Sequence, residues 1–514
     1  MAGGDGQTAE QVTVGVVGAG QMGRGIAQLF AANGHPVQLF DVADGAARAA
    51  HAAIQKGLDQ RVQRGKLAAA DASATLDRIT VAESLQALSI SGLVVEAVVE
   101  DLAVKRTLFA ALEEIVSPSA ILTSNTSSLS VTAIARDLNH PGRLAGLHFF
   151  NPAPVMRVVE VVRASRTDAT VIDRLVGIVD RLGHKPVVAA DTPGFIVNHA
   201  GRALTTEGIR LAADGVADTT TIDRIVTDTL GLRLGPFQFL DLVGLDVFEA
   251  VTRRMSDAYW GEPRFHAHPW VEQRVAAGLL GRKVDEGFYR YEGGKRIVPR
   301  ESEVPQGPIR PAWVSQKGDR EAANWLRSRL TAANVQLDDG VRPRAESTCL
   351  VLPIGDDATT AALDEHLPAD QTVAVDPISC GTGRLTLMAA PGTPLSTLGS
   401  ACALLGRVGV PLSVIADTHG FVAQRVAAMI VAVAAQMAQQ RIAEPAAIDM
   451  AVTLGLGYPN GPFALGDRIG ARRIARILDR AHAATGDPRY RPVPWITRRA
   501  SLDLPLSTPD AGLT

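Results

Sequence analysis

The chain has 514 residues, with 51 Lys and Arg against 54 Asp and Glu, and 46% of its residues are hydrophobic. At roughly 150 residues per domain, this length allows about three to four domains, each with a core of its own. The near-neutral charge includes no block of Lys and Arg, which argues against nucleic acid or an anionic membrane as the main partner. Small ligands are therefore expected.

Three further features point to a cytoplasmic protein. Residues 1–11 are polar and acidic, so no secretory signal is expected. The most apolar stretch, Phe421–Met437, is interrupted by Gln424 and Arg425, so no transmembrane segment is expected either. The cysteines are too few and too scattered for a disulfide framework or a zinc site, and no metal is expected: Cys349, Cys380 and Cys402.

The first forty residues carry the strongest local pattern. The β-branched run Val12–Val17 predicts a buried strand, and the glycine turn G-A-G-Q-M-G follows it at residues 18–23. Helical spacing over Ile26–Ala32 and a second strand, Val37–Phe40, come next, and that strand ends on Asp41. Strand, glycine turn, helix, strand and acidic residue in this order are typical of a dinucleotide-binding domain, although a plain glycine turn is the alternative.

Each glycine of the turn has a physical task in that interpretation. Gly18 lets the chain turn tightly, Gly20 lets the backbone approach a pyrophosphate, and Gly23 lets the helix pack closely on the strand. Asp41 would accept hydrogen bonds from a ribose diol and would repel a ribose phosphate. The predicted cofactor is therefore NAD rather than NADP.

The remaining elements predict alternating α/β and helical regions. Helical stretches separate the earlier strands, which predicts a parallel, doubly wound sheet. From Asp191 the pattern is helical, and strand-like runs resume after a Pro/Arg-rich linker that ends near Pro311, without a second glycine fingerprint. The predicted later strands are Leu93–Val98, Ala120–Thr123, Leu144–His148, Val158–Val162, Pro186–Ala190, Cys349–Ile354, Thr372–Val375 and Leu385–Met388.

An internal repeat relates the two helical regions. Motifs of the first region recur 226 positions later without a gap, and we call any two residues separated by 226 positions equivalent. The recurring motifs are Asp191–Phe195 and Asp417–Phe421, Ile222 and Ile448, Gly235–Phe237 and Gly461–Phe463, and Asp241 and Asp467. The predicted fold is an α/β Rossmann domain plus an all-α helical domain, followed by a degenerate α/β segment and a second copy of the helical domain. The predicted boundaries are 10–190, 191–298, 312–412 and 413–514, with the last domain non-catalytic.

Two polar residues in apolar runs are the candidate catalytic groups. His148 ends one predicted strand, and Glu160 lies among four valines in the next. A buried carboxylate needs a partner, because an unpaired one costs several kcal/mol or takes up a proton. A His–Glu pair would fix the imidazole tautomer and make it a general base. The alternative is a histidine that merely fills the core.

These motifs together resemble the 3-hydroxyacyl-CoA dehydrogenase family. The resemblance covers residues 12–291 and lies in six motifs in family order: G-A-G-x-M-G, S-N-T-S-S-L, G-x-H-F-F-N-P, D-T-P-G-F-I-V-N, G-P-F-x-x-x-D-x-x-G-L-D and G-R-K-x-x-x-G-F-Y-x-Y. The repeat resembles the longer bacterial members, and within these the branch associated with 3-hydroxyadipyl-CoA oxidation in phenylacetate breakdown. The resemblance implies reversible NAD-dependent oxidation of a 3-hydroxyacyl-CoA, as in fatty-acid β-oxidation.

The resemblance also implies residue roles. His148 is matched to the base, Glu160 to its orienting carboxylate, and Ser127 and Asn198 to further catalytic positions. Implied cofactor-binding residues are Gly18, Gly20, Gln21, Met22, Gly23, Asp41, Glu100, Lys105 and Asn125. Implied substrate-binding residues are Ser127, Asn151, Lys283, Arg61 and Lys66. Arg61 and Lys66 lie with Lys56 and Arg64 where the family has a helical hairpin over the CoA phosphates. For each of these charged residues, a position on a solvated face is the alternative.

Several alternatives stay open. Val284–Asp285 and Leu230–Leu234 depart from the family pattern, so the acyl preference is undetermined. A dehydrogenase of a small hydroxy acid would keep the cofactor site without a CoA site, and a non-enzymatic NAD-binding protein is a further alternative. Because single-repeat relatives dimerise through the helical domain, the second copy is expected to replace or mediate a dimer contact; a plain partner surface is the alternative.

Overall fold

The computed structural model describes residues 11–266 and 268–511. Residues 1–10, on which the prediction of no secretory signal mainly depends, lie outside the described part. The chain forms two compact units. The first runs to Asn198 and also includes Arg441–Leu456, and the second contains His199–Gln440 and the chain from Gly457 onwards. A segment of the second helical repeat therefore belongs to the first unit.

The first unit is built on an eight-stranded sheet. Its strands are β1 (Val14–Val17), β2 (Val37–Phe40), β3 (Ile79–Val81), β4 (Leu93–Glu96), β5 (Ile121–Ser124), β6 (Leu144–Phe149), β7 (Val158–Arg163) and β8 (Lys185–Ala190). The helices between them are α1 (Gln21–Ala32), α2 (Ala46–Gln63), α3 (Ala69–Asp77), α4 (Leu102–Ile115), α5 (Val131–Ile134) and α6 (Ala169–Arg181). The spatial order β3-β2-β1-β4-β5-β6-β7-β8 confirms the Rossmann-type α/β domain.

One feature of this sheet differs from the prediction. The alternating pattern predicts parallel strands, but β7 runs antiparallel to β6, and β8 is parallel to β7. The chain between Phe149 and Val158 is shorter than the dozen or so residues that a parallel crossover needs, so the next strand returns in the opposite direction. The reversal matters because it places His148 directly opposite Glu160.

The glycine turn allows α1 to pack closely on the sheet. Gly18 has a φ of +104°, and a Cβ there would lie 2.4 Å from the carbonyl oxygen of Ala97. A Cβ on Gly23 would lie 1.7 Å from the carbonyl oxygen of Gly18. Both positions therefore require glycine, as the fingerprint predicts. Ile26 and Phe30 on α1 are fully buried against the sheet.

Two helical regions and a second sheet complete the chain. The first region has α7 (Val197–Ala213), α8 (Thr219–Leu230), α9 (Pro236–Val243), α10 (Leu245–Ala258) and α11 (Pro269–Ala276), followed by a small hairpin of β9 (Tyr291–Glu292) and β10 (Lys295–Arg296). The second α/β region has β11 (Ala312–Val314), α12 (Arg320–Ala332), β12 (Thr348–Val351), α13 (Ala358–Asp364), β13 (Thr372–Val375), β14 (Leu385–Ala389), α14 (Leu395–Gly406) and β15 (Leu412–Ile415). The last region has α15 (Val422–Gln439), α16 (Pro445–Leu456), α17 (Pro462–Ile469), α18 (Ala471–Thr485) and α19 (Pro494–Leu502).

The second sheet repeats the later half of the first. Its order is β11-β12-β13-β14-β15, and β13 and β14 are antiparallel while the other pairs are parallel, as in β4 to β8. The helices also repeat, since α8 and α16 begin and end at equivalent residues. These observations confirm the degenerate α/β segment and the second helical copy. The four predicted boundaries stay predictions.

The helix α15 is the core of the second helical region. By length and composition alone it is apolar enough to cross a membrane, but 89% of it is buried inside the protein. Gln424 and Arg425, which interrupt its apolar sequence, are fully buried and paired. Arg425 forms an ion pair of 2.7 Å with buried Glu207 on α7.

Each α/β region receives a helix from the other helical repeat. In the first unit α16 packs on β7 and β8, and the amide of Ala190 donates to the carbonyl of Ile442 at 2.8 Å. In the second unit the amide of Ala416 donates to the carbonyl of Val216 at 2.9 Å, and the amide of Gly383 donates to the carbonyl of Asp228 on α8. Ala190 is equivalent to Ala416, and Val216 is equivalent to Ile442, so the exchange is reciprocal.

Candidate active site

The pairing of β6 with β7 creates a buried histidine–glutamate pair. His148 and Glu160 are cross-strand partners, and Nδ1 of His148 lies 2.6 Å from Oε2 of Glu160. The glutamate side chain is fully buried and the imidazole is 7% exposed. Because Nδ1 is bound to the carboxylate, the other ring nitrogen, Nε2, is left outside the pair.

A turn after β8 holds the other oxygen of this glutamate. The amides of Ile196 and Val197 each donate to Oε1 of Glu160 at 2.9 Å. The turn contains Gly194 at φ 77° and Phe195 at φ 47°, a left-handed conformation that a bulky residue rarely adopts. Three donors therefore satisfy the buried carboxylate, and sequence reasoning found the pair but not this two-amide support.

Aromatic rings surround the imidazole of this pair. The ring centroids of Phe150 and Phe195 lie 4.5 and 5.8 Å from that of His148. Asn198 is half-buried and follows the two amides at the start of α7, and half-buried Ser127 follows β5. Both are in the first unit with the pair, and the roles predicted for them stay predictions.

A second buried cluster joins the ends of β4 and β5. Nζ of Lys105 lies 2.5 Å from Oε1 of Glu96 and 3.3 Å from Oε2 of Glu100. Oε1 of Glu100 accepts hydrogen bonds from the hydroxyl of Thr126 and the amide of Ser127. Burial raises the pKa of Glu100, but the Thr126 hydroxyl and the charge of Lys105 outweigh it and hold that pKa below its usual range.

Glu96 of this cluster was missed in the sequence. It is fully buried, and its Oε2 accepts a hydrogen bond from the hydroxyl of Ser124 at 2.6 Å. The signal was present, because Glu96 interrupts the apolar run Leu93–Val98 just as Glu160 interrupts its own run. Lys105 is accordingly tied to two carboxylates and orients the loop that carries Ser127.

Two predicted asparagines occupy strand and loop ends in the same unit. The side-chain oxygen of Asn125 accepts a hydrogen bond from the amide of Phe149 at 2.8 Å, which ties the ends of β5 and β6 together. The side chain of Asn151 accepts a hydrogen bond from Gln21 at 3.2 Å. Asn151 thus contacts the first residue of α1, beside the glycine turn.

The residues at the start of α1 fit a dinucleotide. Gly20 is the N-cap and provides no side-chain hydrogen bond to the helix, and the first turn has no acidic residue. A Cβ at Gly20 would meet no atom of the described residues within 4 Å, so the backbone there is open to a ligand. Asp41 accepts hydrogen bonds from the amides of Ala19 and Ala43, which fixes its carboxylate beside the turn. Met22 packs on the apolar core.

The residues predicted for the CoA moiety divide between the two units. Lys56 and Arg61 are exposed on α2, and Arg64 and Lys66 are exposed in the turn that joins α2 to α3. These two helices pack on each other as the predicted hairpin. Lys283 is in the second unit, where its Nζ lies 2.5 Å from Oδ1 of Asp246.

Two of the recognised motifs turn out to support each other in the second unit. Asp241 on α9 accepts hydrogen bonds from the amides of Phe288 and Tyr289 and from the hydroxyl of Tyr291. Tyr289 also donates its hydroxyl to Asp223, and burial raises the pKa of Asp223 to about 7. The motif that ends on Tyr291 therefore shapes the loop that carries Lys283 rather than contributing reactive groups itself.

Comparisons with known proteins identify the family of the chain. The model of the 3-hydroxyacyl-CoA dehydrogenase NAD-binding domain matches residues 13–192, and that of the C-terminal domain matches residues 194–291 and 420–505. A 3-hydroxyadipyl-CoA dehydrogenase of Escherichia coli is 36% identical over 96% of this chain and 98% of its own. A probable 3-hydroxybutyryl-CoA dehydrogenase of Bacillus subtilis is 35% identical over 54% of this chain and 96% of its own.

A solved structure shares the whole architecture. The crystal structure of a 3-hydroxybutyryl-CoA dehydrogenase from Escherichia coli K12 has a TM-score of 0.84 and 36% identity, and the match covers 96% of this chain and 98% of that one. The match of the NAD-binding family model to the Rossmann domain makes the chain a nicotinamide-dependent dehydrogenase. The chain belongs to the 3-hydroxyacyl-CoA dehydrogenase family, whose cofactor is NAD.

Proposed function

We propose that His148 is the general base of this dehydrogenase and that Glu160 orients it and stabilises its charged form. The observation that carries the proposal is the 2.6 Å contact between Nδ1 of His148 and the fully buried carboxylate of Glu160. With Nδ1–H donating to that carboxylate, Nε2 keeps its lone pair and accepts the hydroxyl proton of the substrate. Both carboxylate oxygens of Glu160 are held by hydrogen bonds, so the carboxylate stays beside the ring and favours the imidazolium that forms.

The reaction balances with the family's cofactor. The 3-hydroxyl group gives its proton to Nε2 of His148, the carbinol hydrogen leaves with its electron pair, and the carbon becomes a ketone. NAD supplies the hydride acceptor when it is bound. The residues proposed to hold it are Gly18, Gly20, Gln21, Gly23 and Asp41, because these form the open helix start and the adjacent carboxylate.

The cluster around Lys105 is proposed to set the loop next to the reacting carbon. Glu100 receives the amide of Ser127, and Lys105 holds Glu100 in turn, so the Ser127 hydroxyl is presented from a fixed backbone. Asn198, directly after the two amides that hold Glu160, is proposed to bind the thioester side of the substrate. Such positioning converts binding energy into rate because the reacting atoms are held in line.

The substitution His148→Gln tests the assignment. Positioned base catalysis is worth roughly 10²- to 10⁴-fold, so kcat should fall by about that factor while the affinity for NADH stays unchanged. Steady-state kinetics with a 3-ketoacyl-CoA and NADH, together with NADH fluorescence titration, measure the two quantities. Unchanged turnover would show that the base is another residue.

For the substrate we propose 3-hydroxyadipyl-CoA, because the relative that matches nearly the whole chain bears that name. The full-length structural relative is described instead as a 3-hydroxybutyryl-CoA dehydrogenase, so the chain length and a terminal carboxylate need a direct comparison. NADH consumption with 3-ketoadipyl-CoA, acetoacetyl-CoA and longer 3-ketoacyl-CoA thioesters gives that comparison. A kcat/KM for 3-ketoadipyl-CoA below that for acetoacetyl-CoA would contradict the proposal, and the free 3-keto acid should not be reduced at all.

We also propose that the second helical repeat takes the part of a partner subunit. The support is the reciprocal exchange, in which α16 packs on β7 and β8 within the first unit. Deletion of residues 412–514 should therefore expose apolar surface and give an oligomer or an aggregate in light scattering. A stable monomeric fragment would refute this.

The three cysteines are free thiols, which supports a reducing compartment such as the cytoplasm.

A further inference from the structure

The carboxylate of Glu160 depends on a turn with a strained conformation. Phe195 has a φ of 47°, and the two residues that follow it supply the amides that bind Oε1. A strained backbone persists only where its surroundings hold it in place. In the second unit the equivalent residue, Phe421, has a φ of −74° and is relaxed, so the left-handed conformation is special to the copy that carries the His–Glu pair.

Both ends of this turn contact the segment Arg441–Leu456, which comes from the second helical repeat. Before the turn, the amide of Ala190 donates to the carbonyl of Ile442 at 2.8 Å. After the turn, Val197 meets Gly455 so closely that a Cβ on Gly455 would lie 2.9 and 3.0 Å from the two γ-carbons of Val197. The same Cβ would be 3.6 Å from Val158, the first residue of β7.

The corresponding positions in the second unit hold other residues. The equivalents of Gly455 and Val197 are Thr229 on α8 and Ala423 on α15, two helices that pack on each other. The position of Gly455 thus holds a larger residue, Thr229, in the second unit, and the position of Val197 holds a smaller one, Ala423. In the first unit the larger residue is Val197, whose amide binds Glu160, and the glycine leaves room for it.

We propose that Gly455 is a positioning residue for catalysis. The close approach of α16 fixes Val197, the amide of Val197 fixes Glu160, and Glu160 fixes the imidazole of His148. The inference rests on the proposed function of His148 and Glu160. On this account the second repeat, which carries no such pair itself among the described residues, sets the geometry of the active site in the first half of the chain.

The test compares Gly455→Ala, Val197→Ala and the double variant in the full-length protein. The new Cβ in Gly455→Ala pushes against Val197, which is stiff and buried, so its amide must move. We expect kcat for a 3-ketoacyl-CoA to fall at least about tenfold while the KM for NADH stays within about twofold. Val197→Ala removes both γ-carbons that the new Cβ meets, so the double variant should regain the kcat of Val197→Ala alone.

A matched control separates this effect from a general loss of stability. Gly406 also lies in the final turn of a helix, and a Cβ there would meet nothing in the described part of the chain within 4 Å, so Gly406→Ala should leave kcat unchanged. The inference is overturned if Gly455→Ala keeps wild-type kcat, or if the double variant is as thermally stable as Val197→Ala but has a lower kcat than Val197→Ala. If His148→Gln also keeps wild-type kcat, the proposed function fails instead. If Gly455→Ala does not fold, the kcat of the double variant decides.

Discussion

The two antiparallel strand pairs, β6 with β7 and β13 with β14, have the same topology and different chemistry. In the first, His148 faces Glu160. In the second, the amide of Asp376 donates to the carbonyl of Thr386, just beyond the last paired residues of the ladder, so an aspartate and a threonine stand opposite each other. Thr386 is the equivalent of Glu160 in the repeat.

In the second pair, the aspartate is hydrogen-bonded to Gln424, the residue that replaces Asn198. The side chain of Gln424 donates to Oδ1 of Asp376 at 2.9 Å and accepts from the amide of Gly355 at 2.8 Å. Burial raises the pKa of Asp376 to about 7. A carboxyl, a hydroxyl and an amide in these places offer no imidazole to accept a proton. Strand pairing and helix exchange therefore persist in the copy where the His–Glu pair is replaced.

The largest expected effect is the loss of kcat when the charge of Glu160 is removed. Glu160→Gln keeps the shape of the side chain but removes the charge that stabilises the imidazolium, so kcat should fall by about 10²- to 10⁴-fold. Thr386→Val makes the matched change in the second pair, where the threonine hydroxyl is buried with no hydrogen-bond partner among the described residues, and it should leave kcat within about twofold. Equal losses in the two variants would mean that both pairs take part in turnover.

A pH-dependent difference in stability is the next effect in size. The folded protein binds a proton on Asp376 more tightly than the unfolded chain does, because its pKa is about 7 rather than 3.8. This contribution is complete below about pH 4 and is lost as the pH rises to about 7. Asp376→Asn lacks it, so the variant should gain about 2 kcal/mol relative to wild type between pH 5 and 7, and nothing more above pH 7. Denaturant unfolding at each pH measures the difference, and a constant difference would contradict it.

The smallest expected effect compares the ends of α10 and α18. A left-handed residue follows each helix, but one copy has Gly486 at φ 65° and the other has Trp260 at φ 54° with 97% of its surface exposed. Because a left-handed conformation costs a side chain about 1 kcal/mol, Trp260→Gly should stabilise the protein by about that amount and Gly486→Ala should destabilise it similarly. A loss of stability in Trp260→Gly, by thermal unfolding, would show that the exposed ring makes stabilising contacts.

The pairing of His148 with Glu160 could be predicted because buried charge is conspicuous in apolar runs. Both residues interrupt such runs, and the requirement for a partner brought them together before any geometry was known. Glu96 obeys the same rule and was overlooked, although it also interrupts an apolar run. The supporting amides of Ile196 and Val197 have no sequence signal, because nearly every residue has a backbone amide. Only the conformation of the turn directs these two toward Glu160.

The fold was predictable where periodicity and repeats determine it. The glycine turn, the order of strands and the internal repeat all indicated the right elements, whereas the direction of β7 depended on the length of a loop. The exchange of α8 and α16 was beyond prediction. Two copies with the same pattern specify the same helix, and the pattern does not say which sheet that helix covers.

The covalent link between the repeats has a further consequence for the hydrogen bond of Ala190 to Ile442. Two separate polypeptides would hold such a contact only above their dissociation constant, whereas a contact within one polypeptide does not depend on the protein concentration. Dilution therefore does not separate α16 from β7 and β8. Turnover per molecule should stay constant from micromolar to picomolar enzyme.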